Sequence, residues 1–352
     1  MAYTNIDDPS AYFQTLLWTG NSSDSRALTN DGNSNLQPDW VWLKNRDLGY
    51  NHFLQDSSRG NTKVLNSDSD AAESTNTNMV ESFDTNGFTV GFDGSQVPNF
   101  NGNTFVGWQW KANGGTTSSN TDGSITSTVQ ANQDAGFSIV TFTGNGTDGA
   151  TVGHGLGVVP AMVMFKCRDT GNTDWRTYHQ SISPTNAISF NSGGAAYGAS
   201  SLFGGTFTST LLKVENEAGA NRNTSPMVAY CFAEKQGYSK FGSYVGNGNA
   251  NGAFVYTGFK PAFVITKVTD DARDWRMWDA ARDTFNVVEK YLTPNTTGAE
   301  GTTSTLNIDF LSNGFKLRGN HVSTNQSGKN FIYMAFAENP FVTSTGIPTT
   351  AR

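Results

Sequence analysis

Charged side chains are scarce in this sequence. Asp, Glu, Lys and Arg make up 15% of its 352 residues, whereas an average domain has about 25%. The formal net charge is −7, and no run of basic residues occurs. We therefore expect no nucleic-acid partner and no attraction to an anionic membrane surface.

Cysteines, long apolar stretches and a leader segment are also lacking. Two cysteines, Cys167 and Cys231, are too few to staple a chain of this length, so we expect buried free thiols on strands and synthesis in a reducing cytoplasm. No stretch approaches the roughly 18 apolar residues of a membrane span, so we predict no membrane insertion. The first residues have neither a basic nor an apolar region, which predicts no signal peptide.

Turn formers and aromatic residues take the place of the missing charge. The chain has 38 glycines and 12% aromatic residues, and no segment keeps a helical period over 12 or more residues. Many short strands need many tight turns, so this composition predicts an all-β fold.

One apolar segment occurs three times, as P-D-W-V-W-L-K at 38–44, P-A-M-V-M-F-K at 160–166 and P-A-F-V-I-T-K at 261–267. Each copy is rich in strand-forming residues, begins at a proline and ends at a lysine. The pattern predicts a buried strand that is entered from a turn. Recurrence at long, regular intervals indicates a threefold internal repeat.

Two further markers accompany that segment in each copy. An aromatic residue stands two positions before a Gly-Asn pair, as Trp18, Phe142 and Tyr244. This predicts a strand that ends in a turn whose glycine and asparagine tolerate positive φ. An alternating segment occurs at 106–111, 228–234 and 332–338. Its middle residue, which is Trp108, Tyr230 or Met334, stands 70, 70 or 73 positions after the proline of the same copy. Its alternation predicts a strand with one buried face.

These markers divide the chain into an N-terminal arm (1–12), a first repeat (13–111), a Gly/Ser/Thr/Asn-rich linker (112–136), a second repeat (137–236) and a third repeat with a C-terminal tail (237–352). A strand at 125–129 is an option within the linker. Each repeat is expected to form a β-sandwich of the jelly-roll or lectin-like kind. We expect repeats two and three to pack closely and repeat one to sit apart. The alternative is one merged assembly with shared sheets.

Long stretches of the chain resemble a known family. They include T-L-L-W-T-G-N, L-Q-P-D-W-V-W-L-K-N-R, V-A-Y-C-F-A-E-K-Q-G-Y-S-K-F-G-S-Y at 228–244 and F-I-Y-M-A-F-A-E-N-P-F-V at 331–342. These segments are similar to virion structural proteins of marine tailed phages that infect cyanobacteria and pelagic heterotrophs. The resemblance implies a tail-fibre-like or other structural role and supplies no catalytic motif and no cofactor.

Motifs for catalysis or for metal binding are weak. G-N-G-T-D-G at 144–149 spells a phosphate-loop pattern, but strand and turn residues follow it, so we interpret it as a hairpin turn. Four histidines without close pairing predict no metal site, and Asp68 and Asp70 are interpreted as turn residues and not as calcium ligands. We predict no catalytic residues and no cofactor.

Carboxylates and tryptophans are the remaining candidates. Asp56 with Glu73, or Asp279 with Glu300, could serve a glycosidase, but their duplication favours structural pairing with Arg59 and Arg282. Trp175, Trp275 and Trp278 follow polar loops and are predicted as ligand-binding rings for sugar stacking or protein contact. The alternative is that these tryptophans begin the next strand and point into the core.

The predicted function is therefore binding. We expect a structural protein on the exterior of a phage particle, either a tail-fibre-like or an adhesion component, made in the host cytoplasm and located in the virion. Its partners would be other virion proteins, a host surface glycan and further copies of itself. A capsid surface or decoration protein is the first alternative, and a polysaccharide depolymerase is the second.

Overall fold

A computed structural model describes residues 2–92, 94 and 97–350 of the protein. The predicted all-β class is confirmed, because the chain folds into antiparallel sheets with only three helical turns among these residues. The helical turns are a 3₁₀ turn at Pro9–Ala11, α1 at Ser200–Phe203 and α2 at Val322–Asn325.

Twenty-eight strands occur in the described residues, and we group them into three units. The first unit contains β1 (Phe13–Thr19), β2 (Arg26–Thr29), β3 (Trp40–Asn45), β4 (Phe53–Asp56), β5 (Lys63–Asn66), β6 (Ser74–Thr75), β7 (Val80–Asp84), β8 (Gly87–Val90) and β9 (Thr104–Trp110). The second unit contains β10 (Ser118–Asn120), β11 (Ser127–Asn132), β12 (Phe137–Thr143), β13 (Ala150–Gly153), β14 (Met162–Cys167), β15 (Arg176–His179), β16 (Asn186–Ser189), β17 (Tyr197–Gly198), β18 (Leu211–Val214) and β19 (Pro226–Phe232). The third unit contains β20 (Ser239–Val245), β21 (Phe254–Tyr256), β22 (Phe259–Val268), β23 (Arg276–Asp279), β24 (Lys290–Tyr291), β25 (Gly301–Thr302), β26 (Ile308–Leu311), β27 (Gly314–Leu317) and β28 (Asn330–Pro340).

The main sheets of the three units share one strand order. They run β1-β9-β3-β4, β12-β19-β14-β15 and β20-β28-β22-β23, with further strands outside some of these. The three sequence markers are thus hydrogen-bonded neighbours in every unit: the strand before Gly-Asn, the alternating segment and the proline-led segment.

A smaller sheet covers one face of each main sheet. These sheets are β2-β8-β7, β13-β18 and β21-β27-β26. In the first unit Val41 and Leu43 of the main sheet share a core with Leu28 and Phe88 of the small sheet. Equivalent cores lie in the second and third units. Two sheets around one apolar core are a β-sandwich arrangement.

The opposite faces of the three main sheets meet in one shared core. It contains Trp40 and Trp42 from the first unit, Met162 and Met164 from the second, and Phe263 and Ile265 from the third. Trp40 stacks on Tyr230 of the second unit with ring centroids 4.5 Å apart, and Phe13 stacks on Phe336 of the third at 5.3 Å. Each large apolar side chain removed from water here contributes about 1.5–3 kcal/mol. The expectation that repeat one sits apart is therefore wrong.

The alternating segments are buried on both faces, which corrects the expectation of one buried face. In β19 the side chains of Val228, Tyr230 and Phe232 enter the shared core, whereas those of Ala229 and Cys231 enter the core of the second unit. The same two-sided burial explains why the proline-led strands are apolar at nearly every position. Both free cysteines are buried on strands, as predicted.

The stretch predicted as a linker is largely part of a sheet. Strands β10 and β11 extend the main sheet of the second unit beside β12, and the predicted strand position is shifted from 125–129 to Ser127–Asn132. Gln130 of β11 donates hydrogen bonds to the hydroxyls of Ser57 and Ser58 in the first unit, at 2.9 and 2.8 Å. This stretch therefore ties the first two units together.

The N-terminal arm is likewise packed into the molecule. Ile6 is buried in the shared core, and the hydroxyl of Thr4 donates to the carbonyl of Gln236 at 2.7 Å. Asp7 accepts a hydrogen bond from the backbone N–H of Ser344 at 2.6 Å. The arm thus bridges two units of the fold.

The Gly-Asn markers are explained by close packing and not by positive φ, which none of these six residues has. A Cβ atom on Gly20, Gly144 or Gly246 would collide with the carbonyl oxygen of Phe100, Arg222 or Gln326. The neighbouring asparagines are held by buried asparagines far along the chain. The backbone N–H of Asn21 donates to Asn99 at 3.2 Å, that of Asn145 to Asn221 at 2.9 Å, and that of Asn247 to Asn325 at 2.9 Å.

The prolines open the strand in only two copies. Strands β3 and β14 begin two residues after Pro38 and Pro160. Pro261 instead lies inside β22, where the pairing with β28 shifts register on both sides of it. A proline cannot donate a ladder hydrogen bond, so an irregularity at this point is the expected accommodation.

Candidate functional site

The three predicted ligand-binding tryptophans are buried, which corrects the expectation that they are exposed on loops. Trp175, Trp275 and Trp278 have 0%, 2% and 0% of their surface exposed. Trp175 and Trp275 belong to the shared core and Trp278 to the core of the third unit. They stand at the start of, or within, strands that pair with the proline-led strand, so their rings point inward and cannot stack on an external sugar.

Two of these tryptophans instead join neighbouring units. The indole N–H of Trp175 donates to the carbonyl of Asn66 in the first unit at 2.8 Å. The indole N–H of Trp275 donates to the carbonyl of Ser189 in the second unit at 3.2 Å. Each ring therefore contributes both apolar burial and a hydrogen bond across a boundary between units.

The residues on either side of Trp175 do reach the surface. Arg176 donates to Asp174 at 3.0 Å, to the hydroxyl of Tyr197 at 2.9 Å and to Glu217 at 3.1 Å. Asp174, Arg176 and Tyr197 line an open cavity of about 310 Å³. Arg176 also donates to the hydroxyl of Ser189 at 3.4 Å, whereas its buried Nε has no hydrogen-bond partner among the described residues. Two carboxylates already neutralise this guanidinium, which disfavours an additional anionic ligand.

The third unit repeats this Asp-Trp-Arg triplet with different neighbours. Arg276 lies 3.7 Å from Asp274, donates to Ser323 at 3.1 Å and stands 5.3 Å over the ring of Tyr291. The duplicated triplet at 174–176 and 274–276 was a readable signal in the sequence. In each triplet the tryptophan points into the core, whereas the aspartate and the arginine point towards the surface.

The candidate carboxylates of the first unit lie at the junction with the second unit, which we call the first charged junction. Arg59 pairs with Asp56 at 2.5 Å and with Glu73 at 2.8 Å. Glu73 also pairs with Arg168 of the second unit at 2.8 Å, and the hydroxyl of Tyr230 donates to Asp56 at 2.6 Å. The predicted pairing of Asp56 with Arg59 is confirmed.

The second charged junction joins the third unit to the first with the same chemistry. Arg282 pairs with Asp279 at 2.5 Å and with Glu300 at 3.1 Å. Glu300 pairs with Arg46 of the first unit at 2.8 Å, and the indole N–H of Trp108 donates to Asp279 at 3.1 Å. The predicted pairing of Asp279 with Arg282 is therefore also confirmed.

Both glutamates are held as carboxylates. Burial alone would raise the pKa of Glu73, but hydrogen bonds and charge from Arg168 and Arg59 outweigh burial and lower that pKa. The pKa of Glu300 is lowered by Arg46 and Arg282 in the same way. A glycosidase acid needs a raised pKa beside an open sugar site. These carboxylates, shared between arginines, have the opposite properties.

The junction between the second and third units, which we call the uncharged junction, has the same backbone hydrogen bond as the charged junctions but different side chains. The backbone N–H of Ala196 donates to the backbone carbonyl of Thr269 at 2.8 Å. In the charged junctions the backbone N–H of Glu73 donates to the carbonyl of Arg168 at 2.7 Å, and that of Glu300 to the carbonyl of Arg46 at 2.8 Å. By strand position, His179, Ile182, Ala196 and Thr269 replace Asp56, Arg59, Glu73 and Arg168.

His179 holds the position of the aspartate in this junction. Its Nε2 atom lies 3.1 Å from the carbonyl oxygen of Tyr333 in the third unit. Complete burial lowers the pKa of His179 to about 4. The ring is therefore neutral at neutral pH, and none of the four replacing side chains carries a charge.

A buried lysine ends each proline-led strand and crosses a junction. Each ammonium donates to a backbone carbonyl of another unit. Lys44 donates to the carbonyl of Thr297 in the third unit at 3.1 Å, and Lys166 donates to the carbonyl of Asp70 in the first unit at 2.9 Å. Lys267 donates to the carbonyl of Gly193 in the second unit at 3.1 Å. Burial lowers the pKa of each to about 8. The recurring lysine of the sequence is therefore a contact between units.

The comparisons with known proteins give one match. A family described as "Domain of unknown function (DUF7483)" matches residues 8–340. The chain belongs to this family. No curated protein and no solved structure matches the chain.

Three further properties bear on the kind of site present in this DUF7483 protein. Across residues 2–92, 94 and 97–350, no group of three or more His, Cys, Asp or Glu side chains is placed to hold a metal ion. None of the helical turns in the same part of the chain has the length and apolar character needed to cross a membrane. The loop at 144–149 leads into strand β13 and not into a helix, as its interpretation as a turn requires.

Proposed function

We propose that this protein is a structural component on the outside of a tailed-phage particle, a tail-fibre-like or adhesion component that acts by binding. The long segments that resemble marine phage virion proteins support the assignment to a phage particle. The joining of three sandwiches through one core supports binding, because it commits the conspicuous carboxylates and tryptophans to the interior.

The observation that carries the binding role is the burial of both candidate carboxylate pairs in ion pairs with arginine. A polysaccharide-cleaving enzyme needs such groups free beside its substrate. With these groups fixed between units, the surface left for function consists of loops and strand edges.

One strand edge supports contact with other virion proteins or with further copies of the chain. Strand β21 is the outer strand of its sheet, and Phe254 and Tyr256 on it are about half exposed, as is Val245 at the end of the outer strand β20. Unpaired strand edges with apolar side chains are common sites of protein association.

The test of this proposal is the location of the chain on the particle. Purified particles would be separated into heads and tails and analysed by mass spectrometry, followed by electron cryo-microscopy of intact particles. We expect the chain in the tail fraction, with density on the exterior. Recovery with heads alone would favour the capsid decoration alternative, and absence from purified particles would refute the proposal.

The enzyme alternative is tested separately with host envelope polysaccharide. We expect the purified protein to release no reducing ends. Release that is lost in Asp56→Asn or Asp279→Asn, in variants that still fold, would replace binding with depolymerase activity.

A further inference from the structure

The uncharged junction contains a cavity where the charged junctions contain side chains. The cavity measures about 380 Å³, and Ile182, Ala196 and Thr269 line it. These are the positions that Arg59, Glu73 and Arg168 occupy in the first charged junction, and Arg282, Glu300 and Arg46 in the second. Long side chains that fill two junctions are thus replaced by short ones in the third.

The backbone has not closed over the missing side chains. The hydrogen bond from Ala196 to Thr269 has the same length as its two counterparts, within 0.1 Å. His179 still bridges the two units through Tyr333. Because the frame is held at the spacing that the charged clusters require, the smaller side chains leave open space.

Polar groups surround this space on its outer side. Hydroxyls of Ser181, Ser183 and Ser243 and amides of Asn186 and Asn330 line it. Among the described residues that line it, Asp270 is the one that carries a charge, and its carboxylate accepts hydrogen bonds from the backbone and the side chain of Asn330 at 3.3 and 3.1 Å. The ammonium of Lys329, which is not part of that lining, donates to the backbone carbonyl of Asp270 at 3.2 Å.

The inner side is apolar. Ile182 and Ala196 are half-buried, and Phe331 and Ile332 close the inner end as part of β28. An apolar wall facing several hydroxyl and amide groups is the usual make-up of a site for small polar molecules, and ligand cavities typically start at about 300 Å³.

We propose that this cavity is a binding site for one neutral unit of a saccharide. Hydroxyl and amide groups can both donate to and accept from sugar hydroxyls, and Asp270 can only accept. Because Asp270 lines the cavity and the ammonium of Lys329 is bound to the backbone carbonyl of Asp270 outside the lining, the charge that a ligand meets is negative, which disfavours phosphate, sulfate and acidic sugars. The apolar wall suits the C–H face of a sugar ring. The inference rests on the proposed binding function and names its site and ligand class.

The experiment uses the whole chain with methyl glycosides of glucose, galactose, mannose and N-acetylglucosamine as probes. Saturation-transfer NMR and titration calorimetry would compare wild type with a variant that transplants the charged cluster, His179→Asp/Ile182→Arg/Ala196→Glu/Thr269→Arg. We expect saturable binding of at least one glycoside to wild type and at least a tenfold loss in the variant, because the new side chains fill the cavity. The net charge is unchanged by these four substitutions.

A second variant covers the case in which the transplanted cluster prevents folding. Ser243→Trp places a large ring at the exposed rim of the cavity, and Ser119→Trp, on the exposed strand β10, is its matched control. We expect a tenfold loss for the first and no change for the second. Equal binding by wild type and Ser243→Trp, or no binding of any glycoside to wild type, would overturn the inference.

The same variants distinguish this inference from the proposed function. If wild type and Ser243→Trp bind intact host envelope glycan equally well, the binding function stands and the cavity is not its site. If the chain is absent from purified particles, the virion role is wrong whatever the glycosides do.

Discussion

The charged junctions and the uncharged junction share one backbone hydrogen-bond geometry but differ in their side chains, which are charged in two junctions and neutral in the third. Two junctions bury an Asp-Arg-Glu-Arg cluster. The third places a neutral histidine, an isoleucine, an alanine and a threonine at the same positions. The comparison shows that the shared frame does not depend on the charges, since it persists without them.

We infer that the charges act more on specificity than on net stability. A buried ion cluster that replaces apolar residues is often neutral or unfavourable, because desolvation offsets the attraction. In a chain with only 15% charged residues, placing eight of them at two junctions, four buried and four half-buried, favours correct pairing of units. We interpret the clusters as the feature that makes each unit recognise its proper neighbour.

The largest effect is expected from removing one member of a cluster. Arg59→Leu leaves the buried carboxylate of Asp56 without its cation, whereas the half-buried Glu73 keeps Arg168, so we expect a loss of about 3–5 kcal/mol in the free energy of unfolding. Arg282→Leu should cost the same, measured by urea unfolding. The matched control is Ile182→Leu at the equivalent position of the uncharged junction, which should cost less than about 1.5 kcal/mol. Equal costs for all three variants would contradict the comparison.

The next effect is a pH dependence specific to the uncharged junction. His179 is neutral when folded, with a pKa lowered to about 4 by burial, and the unfolded chain binds its proton near pH 6.5. The contribution of His179 to the free energy of unfolding is therefore complete above pH 6.5. This contribution falls by up to about 3 kcal/mol as the pH drops towards 4.

Unfolding free energies of wild type and His179→Met, measured from pH 7 to pH 4, test this. The gap between the two proteins should move in favour of the variant as the pH falls. The glutamates of the charged junctions have lowered pKa values, so their contribution is lost only as the pH falls below about 4.5. A constant gap across this range would show that His179 does not titrate as its burial predicts.

The smallest effect is expected from replacing a whole cluster. The variant Asp56→His/Arg59→Ile/Glu73→Ala/Arg168→Thr gives the first charged junction the four side chains of the uncharged one. No charge is left unpaired, so we expect a cost of less than about 2 kcal/mol, below that of Arg59→Leu alone. Urea unfolding measures both variants side by side. A fourfold variant that is less stable than the single one would show that the charges supply net stability.

Marker residues in the sequence predicted many of the strands of this fold. The spacing of the proline-led and alternating segments predicted strands that prove to be adjacent in all three main sheets. Duplicated Asp-x-x-Arg pairs predicted structural ion pairs, because a catalytic pair has no reason to occur twice. The sequence left ligand binding and burial in the core as alternatives for Trp175, Trp275 and Trp278, since a ring that follows a polar loop has the same local pattern whether it faces solvent or a neighbouring unit.

The sequence by itself determined the all-β class, the three recurring marker strands in each unit and the Asp–Arg pairs within one unit, because alternation and turn residues act over a few positions. Only the tertiary structure decided that three sheets turn their second faces towards one common core, and that one boundary keeps open space where the other two are filled. Those outcomes depend on side chains about 100 or more residues apart, such as Tyr230 against Asp56, whose contact no local pattern encodes.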